Sequence, residues 1–195
     1  EAREDGGTPG FLQSIRTALC IKLKEQMKVE NITKREDELL ELAFDGFDKI
    51  PKVHILAGEI KERLGIISFY VEGIHHNLMV KLLNDRYGIQ TRGGCSCAGS
   101  YGHYLLNVDP IKSKIITEKI DQGDLSLKPG WVRLSLHPTM TNDELNYSLN
   151  AIKEIVKNID KWQEDYTYSN RTNEFYHKES KYEEYNFISN WFKFD

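Results

Sequence analysis

The amino-acid sequence predicts an α+β fold, in which about four strands form a mostly antiparallel sheet with helices beside it. Segments rich in β-branched and aromatic residues, which favour strands, occur at 52–59, 63–73, 89–92 and 131–138. Elsewhere, apolar residues recur at spacings of three and four positions, which is typical of amphipathic helices. The strands follow one another as sequence neighbours, and such strands often pair.

The first predicted helix begins at Thr8-Pro9, a typical N-cap followed by proline at the first helical position, and ends near Met27. Its apolar residues recur every fourth position and are expected to face the core: Phe11, Ile15, Leu19 and Leu23. Cys20 lies on the same helix, and we interpret it as a packing residue.

The second predicted helix opens with a capping box formed by Thr33 and Glu36. Its inward residues are Leu39, Leu40, Ala43, Phe44 and Phe47. Helical spacing over 74–87, with Gly88 as the stop, predicts a third helix. His75 and His76 mark its start, and surface roles are expected for them.

The second half of the chain contains a long connection, 98–130, with a helix expected around 110–120. The segment 131–138 alternates cleanly and is the best strand in the chain. A second capping box, Thr141 with Glu144, opens the last predicted helix. Its buried face should contain Leu145, Leu149, Ile152, Ile155, Val156 and Ile159.

The tail from Trp162 onward has a different composition. It carries 11 of the chain's 21 aromatic residues, mixed with Glu, Lys and Asn and without a sustained period. We interpret it as an extension without strands that wraps its aromatic residues onto its own domain or onto another one. A nucleic-acid stacking platform is disfavoured, because the surrounding charges are mixed rather than basic.

Composition excludes several classes of protein. The 195 residues are 39% hydrophobic with a net charge of −4, whereas a nucleic-acid binder normally carries a basic face. No apolar run approaches the roughly 18 residues of a membrane span. The first residues resemble no signal peptide and lack a starting methionine, which suggests a piece of a longer protein. Three cysteines make no disulfide framework, so we expect a reducing cytoplasm.

The cysteine-containing segment GGCSCAGSYGH, which spans 93–103, is the strongest candidate for chemistry. A zinc site could recruit Cys95, Cys97, His103 and either His75 or His76, although the C-x-C spacing does not match the usual structural sites. A tight glycine turn with two inert thiols is a second interpretation. A loop that presents a nucleophilic thiol is a third, because Arg92 is close enough in sequence to favour a thiolate.

Arg133 is a second candidate, in the middle of the strand WVRLSLHP. Alternation places it on one face with Trp131 and Ser135, while Val132 and Leu134 face the core. Such an arginine is usually solvated, but a guanidinium on a rigid strand can also bind a carboxylate through two parallel hydrogen bonds. Local sequence leaves both interpretations open.

Three segments together carry a family resemblance: GTPG before a helix, GIISFYVEGIHHNLMVKLLNDRYGIQTRGGCSCAG, and WVRLSLHPTMTNDELNYSLNAIKEIV. Their order over about 5–162 resembles the C-terminal part of class V aminotransferase-type enzymes, which depend on pyridoxal 5'-phosphate. The closest likeness is to the branch of cysteine desulfurases and selenocysteine lyases. The resemblance implies the small C-terminal domain of fold-type I transferases.

The resemblance assigns roles to four residues. Cys97 matches the loop cysteine that takes sulfur or selenium from the substrate and becomes a persulfide. Cys95 stands where that branch commonly has histidine. Arg133 matches the arginine that binds the substrate α-carboxylate, and Arg92 matches the arginine just before the cysteine loop.

The resemblance also implies a cofactor and partners. Gly7 and Thr8 resemble the segment that reaches the cofactor phosphate of the neighbouring subunit in a homodimer, where a helix N-terminus suits a phosphate. The lysine that anchors pyridoxal phosphate would lie in a large N-terminal domain, outside this chain. His177-Lys178 resembles its motif but follows the cysteine, in a tail expected to lack strands, so we reject it.

These expectations divide the chain into a linking helix over 1–30, an α+β domain over 31–162 and an aromatic extension over 163–195. The activity expected of the full-length enzyme is sulfur transfer from an amino acid to an acceptor, and the chain alone is expected to be inactive. Alternatives are a class V aminotransferase, lyase or epimerase with structural cysteines, or a binding module. One departure from the family is that Cys97 and Arg133 lie 36 residues apart, farther than in desulfurases.

Overall fold

The computed structural model describes residues 4, 6–94, 99–179 and 189–193. Its helices are α1 (Phe11–Met27), α2 (Val29–Phe47), α3 (His76–Tyr87), α4 (Gly99–Leu105), α5 (Pro110–Asp121) and α6 (Asn142–Trp162). Its strands are β1 (Val53–Ile55), β2 (Ile66–Val71), β3 (Arg92–Gly94), β4 (Trp131–Ser135), β5 (Tyr166–Ser169) and β6 (Glu174–His177). The predicted α+β class is confirmed. Cys95 and Cys97 lie outside the described residues.

The main sheet has four strands in the order β1-β2-β4-β3, and every neighbouring pair is antiparallel, as predicted. Alternate residues of β2 and β4, among them Ile67, Phe69 and Val132, point into one hydrophobic core. The buried faces of α2, α3 and α6 complete that core. The opposite face of the sheet carries Ser68 and Arg133, and it is therefore the face on which polar chemistry can occur.

The helix boundaries at the N-terminus differ from the prediction. Helix α1 begins at Phe11 with Gly10 as its N-cap, so Thr8 and Pro9 precede the helix. Glycine at position 10 favours the non-helical backbone of a cap, which moves the start two residues along the chain.

The apolar stripe of α1 is not buried. Within α1, which the structure describes throughout, no residue is buried, and Phe11, Ile15, Leu19 and Leu23 are all more than half exposed. Cys20 is exposed too, so its interpretation as a packing residue is wrong. Periodicity indicates which face of a helix is apolar, but it does not indicate which part of a protein covers that face.

The predicted start of α2 is also wrong, since the helix begins at Val29 and the Thr33–Glu36 pattern lies in its interior. Lys28, with φ of +65°, separates α1 from α2 and makes any cap at Thr33 unnecessary. The second capping box is confirmed: the Glu144 amide donates to Thr141 Oγ1 at 3.2 Å, and the Thr141 amide donates to Glu144 Oε2 at 2.7 Å.

The long connection between β3 and β4 contains α4 and α5. The second was predicted, and Asp109 caps it by accepting a hydrogen bond from the Lys112 amide at 2.9 Å. The first was not predicted, because glycines and serine dominate its sequence. No helix in the described parts of the chain is both long and apolar enough to cross a membrane.

The tail forms a β-hairpin, which the sequence analysis did not predict. β5 pairs antiparallel with β6, and Asn173, with φ of +60°, belongs to the turn between them. The hairpin packs its aromatic residues onto α3, so this part of the tail wraps onto its own domain. His177-Lys178 therefore lies at the end of a strand, and the expectation of a tail without strands is wrong.

Candidate functional site

A row of three polar residues crosses the open face of the sheet. Ser68 on β2 lies opposite Arg133 on β4, and Arg133 lies opposite Arg92 on β3. Because cross-strand partners project from the same face, the two predicted arginines occupy adjacent positions on one surface. The sheet thus brings together residues that are 41 positions apart in the sequence.

Arg133 has an incomplete set of hydrogen bonds. The residue is half-buried, and its Nε atom is buried without a partner among the described residues. A buried donor without a partner is costly, so this Nε atom is available to a hydrogen-bond acceptor outside the described residues. Arg92, by contrast, is exposed. Two guanidinium groups on a rigid sheet favour an anionic ligand, and a carboxylate fits their planar donor geometry.

Unpaired buried polar atoms concentrate at this end of the molecule. In the described residues, four buried side-chain atoms have no hydrogen-bond partner: His75 Nε2, His76 Nε2, Thr91 Oγ1 and Arg133 Nε. The two histidines begin α3, Thr91 precedes β3, and Arg133 lies on β4. Sequence analysis did not predict this cluster. The adjacent pair of histidines was its only signal, and that pair was interpreted as a helix start at the surface.

The helix start is confirmed but the surface role is wrong for His76. His75 is the N-cap of α3, and its Nδ1 accepts a hydrogen bond from the Asn77 amide at 3.1 Å. His76 is 7% exposed, and the two rings stack with centroids 4.3 Å apart. Burial lowers the pKa of His76 to about 4, with smaller contributions from His75 and from the Lys128 ammonium group. Both imidazoles are therefore neutral near pH 7, since burial also lowers the pKa of His75.

The glycines of β3 lie against α3. A Cβ atom on Gly93 would lie 2.6 Å from Asn77 Oδ1 and 3.0 Å from Val80 Cγ2. Gly94 has φ of +103°, which a residue with a side chain rarely adopts. The sequence GG is thus required where β3 ends and the cysteine segment begins. The predicted nucleophile, Cys97, and its neighbour Cys95 are among the residues that the structure does not describe.

The predicted phosphate-binding segment lies in front of α1. Gly7 and Thr8 are exposed, and no side chain in the described part of the chain caps the first turn of α1. Free backbone N–H groups at a helix start suit an anion. The segment is therefore accessible, and α1 contacts α2, the helix that follows it in the chain.

The described residues give little support to the alternative of a zinc site. His103, one of its suggested ligands, shares a hydrogen bond with Ser113 Oγ at 2.8 Å. Within the described ranges, no group of three or more His, Cys, Asp or Glu side chains is arranged to hold a metal ion.

Comparison with known proteins bears on the family and the fold of the chain. A family model described as aminotransferase class-V matches residues 1–147. A probable cysteine desulfurase of Halobacterium salinarum is 30% identical over 93 residues, and a cysteine desulfurase of Haloferax volcanii is 26% identical over 93 residues. Each match covers 48% of this chain and 22% of the relative, so the matched segment is a small part of those proteins.

Solved structures show the same fold. The apo structure of a cysteine desulfurase from Thermococcus onnurineus superposes with a TM-score of 0.58 at 24% identity, over 80% of this chain and 33% of that one. The cysteine desulfurase CsdA from Escherichia coli gives a TM-score of 0.54 at 21% identity, over 78% of this chain and 32% of that one.

Proposed function

Since the chain belongs to the aminotransferase class-V family, we propose that it is the small-domain part of a pyridoxal-phosphate-dependent enzyme that removes sulfur from an amino acid. The observation that carries this proposal is the Arg92–Arg133 pair on the open face of the sheet, with Arg133 Nε buried and without a partner among the described residues. It suits an α-carboxylate, the group that all amino-acid substrates share. Curated relatives named as cysteine desulfurases support the reaction type.

Cys97 is the proposed sulfur acceptor. As a thiolate it forms an S–S bond with the sulfur of substrate cysteine while the substrate C–S bond breaks. The substrate β-carbon takes a proton, alanine leaves, and Cys97 becomes a persulfide. Arg92, three residues before Cys95, supplies positive charge that favours the thiolate. The persulfide sulfur then passes to an acceptor, which is either a protein or a small thiol.

The cofactor contacts proposed for this chain are Gly7 and Thr8. Their exposed position before an uncapped helix start fits the phosphate group of pyridoxal phosphate. When bound, the cofactor supplies an electron sink for the amino-acid substrate. Arg133 holds the substrate carboxylate, and this fixes the substrate sulfur relative to the cysteine segment.

The proposal includes a large domain and a second subunit. The exposed apolar stripe of α1 supports the assignment of 1–30 as a linking helix that packs against a large N-terminal domain, which carries the cofactor lysine. Residues 31–162 are the small domain, and 163–195 are an extension of it. In the proposed homodimer, Gly7 and Thr8 serve the cofactor of the neighbouring subunit, and the enzyme works in the cytoplasm.

The test is sulfide release from L-cysteine by the full-length gene product in the presence of a reducing thiol. Cys97→Ala is expected to abolish release, and Cys95→Ala separates the roles of the two neighbouring thiols. Cys20→Ala, which removes an exposed thiol on α1, is the matched control and should retain activity. Full sulfide release by Cys97→Ala would contradict the proposal. Keto-acid formation without sulfide would favour an aminotransferase with structural cysteines.

A further inference from the structure

The hairpin β5–β6 lies beyond residue 147, where the family match ends, and it packs along the length of α3. At one end of α3, the Tyr166 hydroxyl donates to Asp85 Oδ2 at 3.0 Å. At the other end, the rings of Tyr168 and Phe175 each lie 5.3 Å from the ring of His75. The hairpin therefore contacts both ends of the helix that precedes β3.

The tip of the hairpin is fixed from two sides. Asn173 is 8% exposed, and its side-chain Oδ1 accepts from the Tyr168 hydroxyl at 2.8 Å. Its backbone carbonyl accepts a hydrogen bond from Asn77 Nδ2. The carbonyl of Asn170 accepts from the Leu125 amide at 2.8 Å, which ties the tip to the connection before β4.

Asn77 connects the hairpin with β3. Its Nδ2 donates to the hairpin, while its Oδ1 lies so close to Gly93 that a Cβ there would approach to 2.6 Å. Gly93 is the neighbour of Arg92 and pairs with Val132, the neighbour of Arg133. The Asn77 side chain therefore lies against the β3 backbone one residue after Arg92.

His76 makes the corresponding contact with β4. A Cβ atom on Gly130 would lie 2.6 to 2.8 Å from three atoms of the His76 ring, so the imidazole lies against the backbone one residue before β4. The His75 ring stacks on His76 and contacts the rings of Tyr168 and Phe175 of the hairpin at a tilt. The three residues at the start of α3 thus join the hairpin to both strands that carry the arginines.

We propose that the hairpin β5–β6 is a brace for the Arg92–Arg133 pair, and that Asn77 is the positioning residue through which it acts on the carboxylate-binding site. This inference rests on the proposed function for the identity of the ligand, an amino-acid carboxylate. The brace itself follows from the contacts of Asn77 and His76 with the two strands. It makes the hairpin a determinant of substrate affinity rather than a part of the reacting groups.

The test uses three variants of the full-length protein. Asn77→Asp keeps an oxygen toward Gly93 but replaces the donor to the Asn173 carbonyl with a repelling carboxylate. Phe175→Ala removes a ring that packs on His75. Thr167→Ala, at an exposed position of β5, is the matched control.

The first readout is hydrogen exchange, which requires no activity. Asn77→Asp and Phe175→Ala are expected to speed exchange of backbone amides in 92–94 and 131–133, while amides of α2 and α6 stay as slow as in Thr167→Ala. Unchanged exchange in both strands would overturn the brace. Equal acceleration throughout α2 and α6 would also overturn it, because the hairpin would then be a general packing element.

The second readout is the steady-state kinetics of sulfide release. Asn77→Asp is expected to raise KM for L-cysteine roughly tenfold with a much smaller change in kcat, because it loosens substrate binding. Added to Arg133→Lys, it should cause little further change, since both act on one contact. Additive effects would overturn the role of Asn77. Failure of the unmodified protein to release sulfide would contradict the proposed function, whereas hydrogen exchange decides the brace by itself.

Discussion

At the scale of single residues, the site depends on what surrounds each side chain rather than on residue type alone. Alternation in WVRLSLHP correctly placed Arg133 away from the core, because Val132 and Leu134 are buried. The sequence could not reveal that Arg92 would be its cross-strand neighbour, or that Arg133 Nε would have no partner in the described part of the chain. Those properties arise from the register between strands that are distant in the sequence.

Arg133→Lys tests the carboxylate contact. A lysine keeps the charge but loses the planar pair of donors, so we expect kcat/KM for L-cysteine to fall by about 100-fold, mostly through KM. Steady-state sulfide release by the full-length enzyme measures this. Arg171→Lys, at an exposed arginine in the turn between β5 and β6, is the control. Equal kcat/KM values for the two variants would show that Arg133 does not bind substrate.

His76 predicts a pH dependence of stability. Its pKa is lowered to about 4 in the folded chain, so the unfolded chain binds more protons between pH 6.5 and 4. The free energy of unfolding should therefore fall as pH decreases through that window, by on the order of 3 kcal/mol in total. Urea unfolding at several pH values measures the slope. His76→Gln should flatten it, whereas His137→Gln, at an exposed position, should not.

At the scale of elements, the pattern within one segment was a reliable guide to its secondary structure. The predicted positions at which helices and strands begin and end were less reliable. The cap and buried face of α6 were predicted because Thr141, Glu144 and a regular apolar stripe act locally. The hairpin was missed because its stability depends on α3, which supplies His75 and Asp85 as partners for its aromatic residues. The stripe of α1 was recognised, but no described part of the chain covers it.

Gly93→Ala tests the close approach of β3 to α3. The added methyl would meet Asn77 Oδ1 at 2.6 Å and Val80 Cγ2 at 3.0 Å, so we expect a loss of about 1–3 kcal/mol in the free energy of unfolding. Gly99→Ala, at the start of α4, has nothing within 4 Å of the new methyl and is the control. Urea unfolding that gave the same midpoint for both variants would show that β3 is free to move away from α3.

At the scale of the whole molecule, the fold follows from one core and one open sheet face. The sequence predicted a mostly antiparallel sheet of about four strands, because the strand segments are sequence neighbours and such strands often pair. The cysteine segment stays a prediction, since its residues 95–98 are not described. The role of Cys97 therefore depends on family resemblance.

The exposed stripe of α1 predicts the behaviour of this chain in isolation. Six of its apolar residues are more than half exposed: Phe11, Leu12, Ile15, Leu19, Ile21 and Leu23. We expect concentration-dependent self-association, because such a patch is unfavourable in water. Sedimentation measures it, and the double change Ile15→Glu and Leu19→Glu should suppress it. A chain that stays monomeric at all concentrations would contradict the assignment of α1 as a linking helix.

The most direct measurement is mass spectrometry of the full-length protein after brief reaction with L-cysteine, with thiols and persulfides trapped by an alkylating reagent. The account predicts that the peptide containing Cys97 gains one sulfur atom, while the peptide containing Cys20 does not. Cys97→Ala should leave no persulfide on the protein. Alanine and sulfide formed at the normal rate, with Cys97 never carrying the extra sulfur, would contradict the central claim.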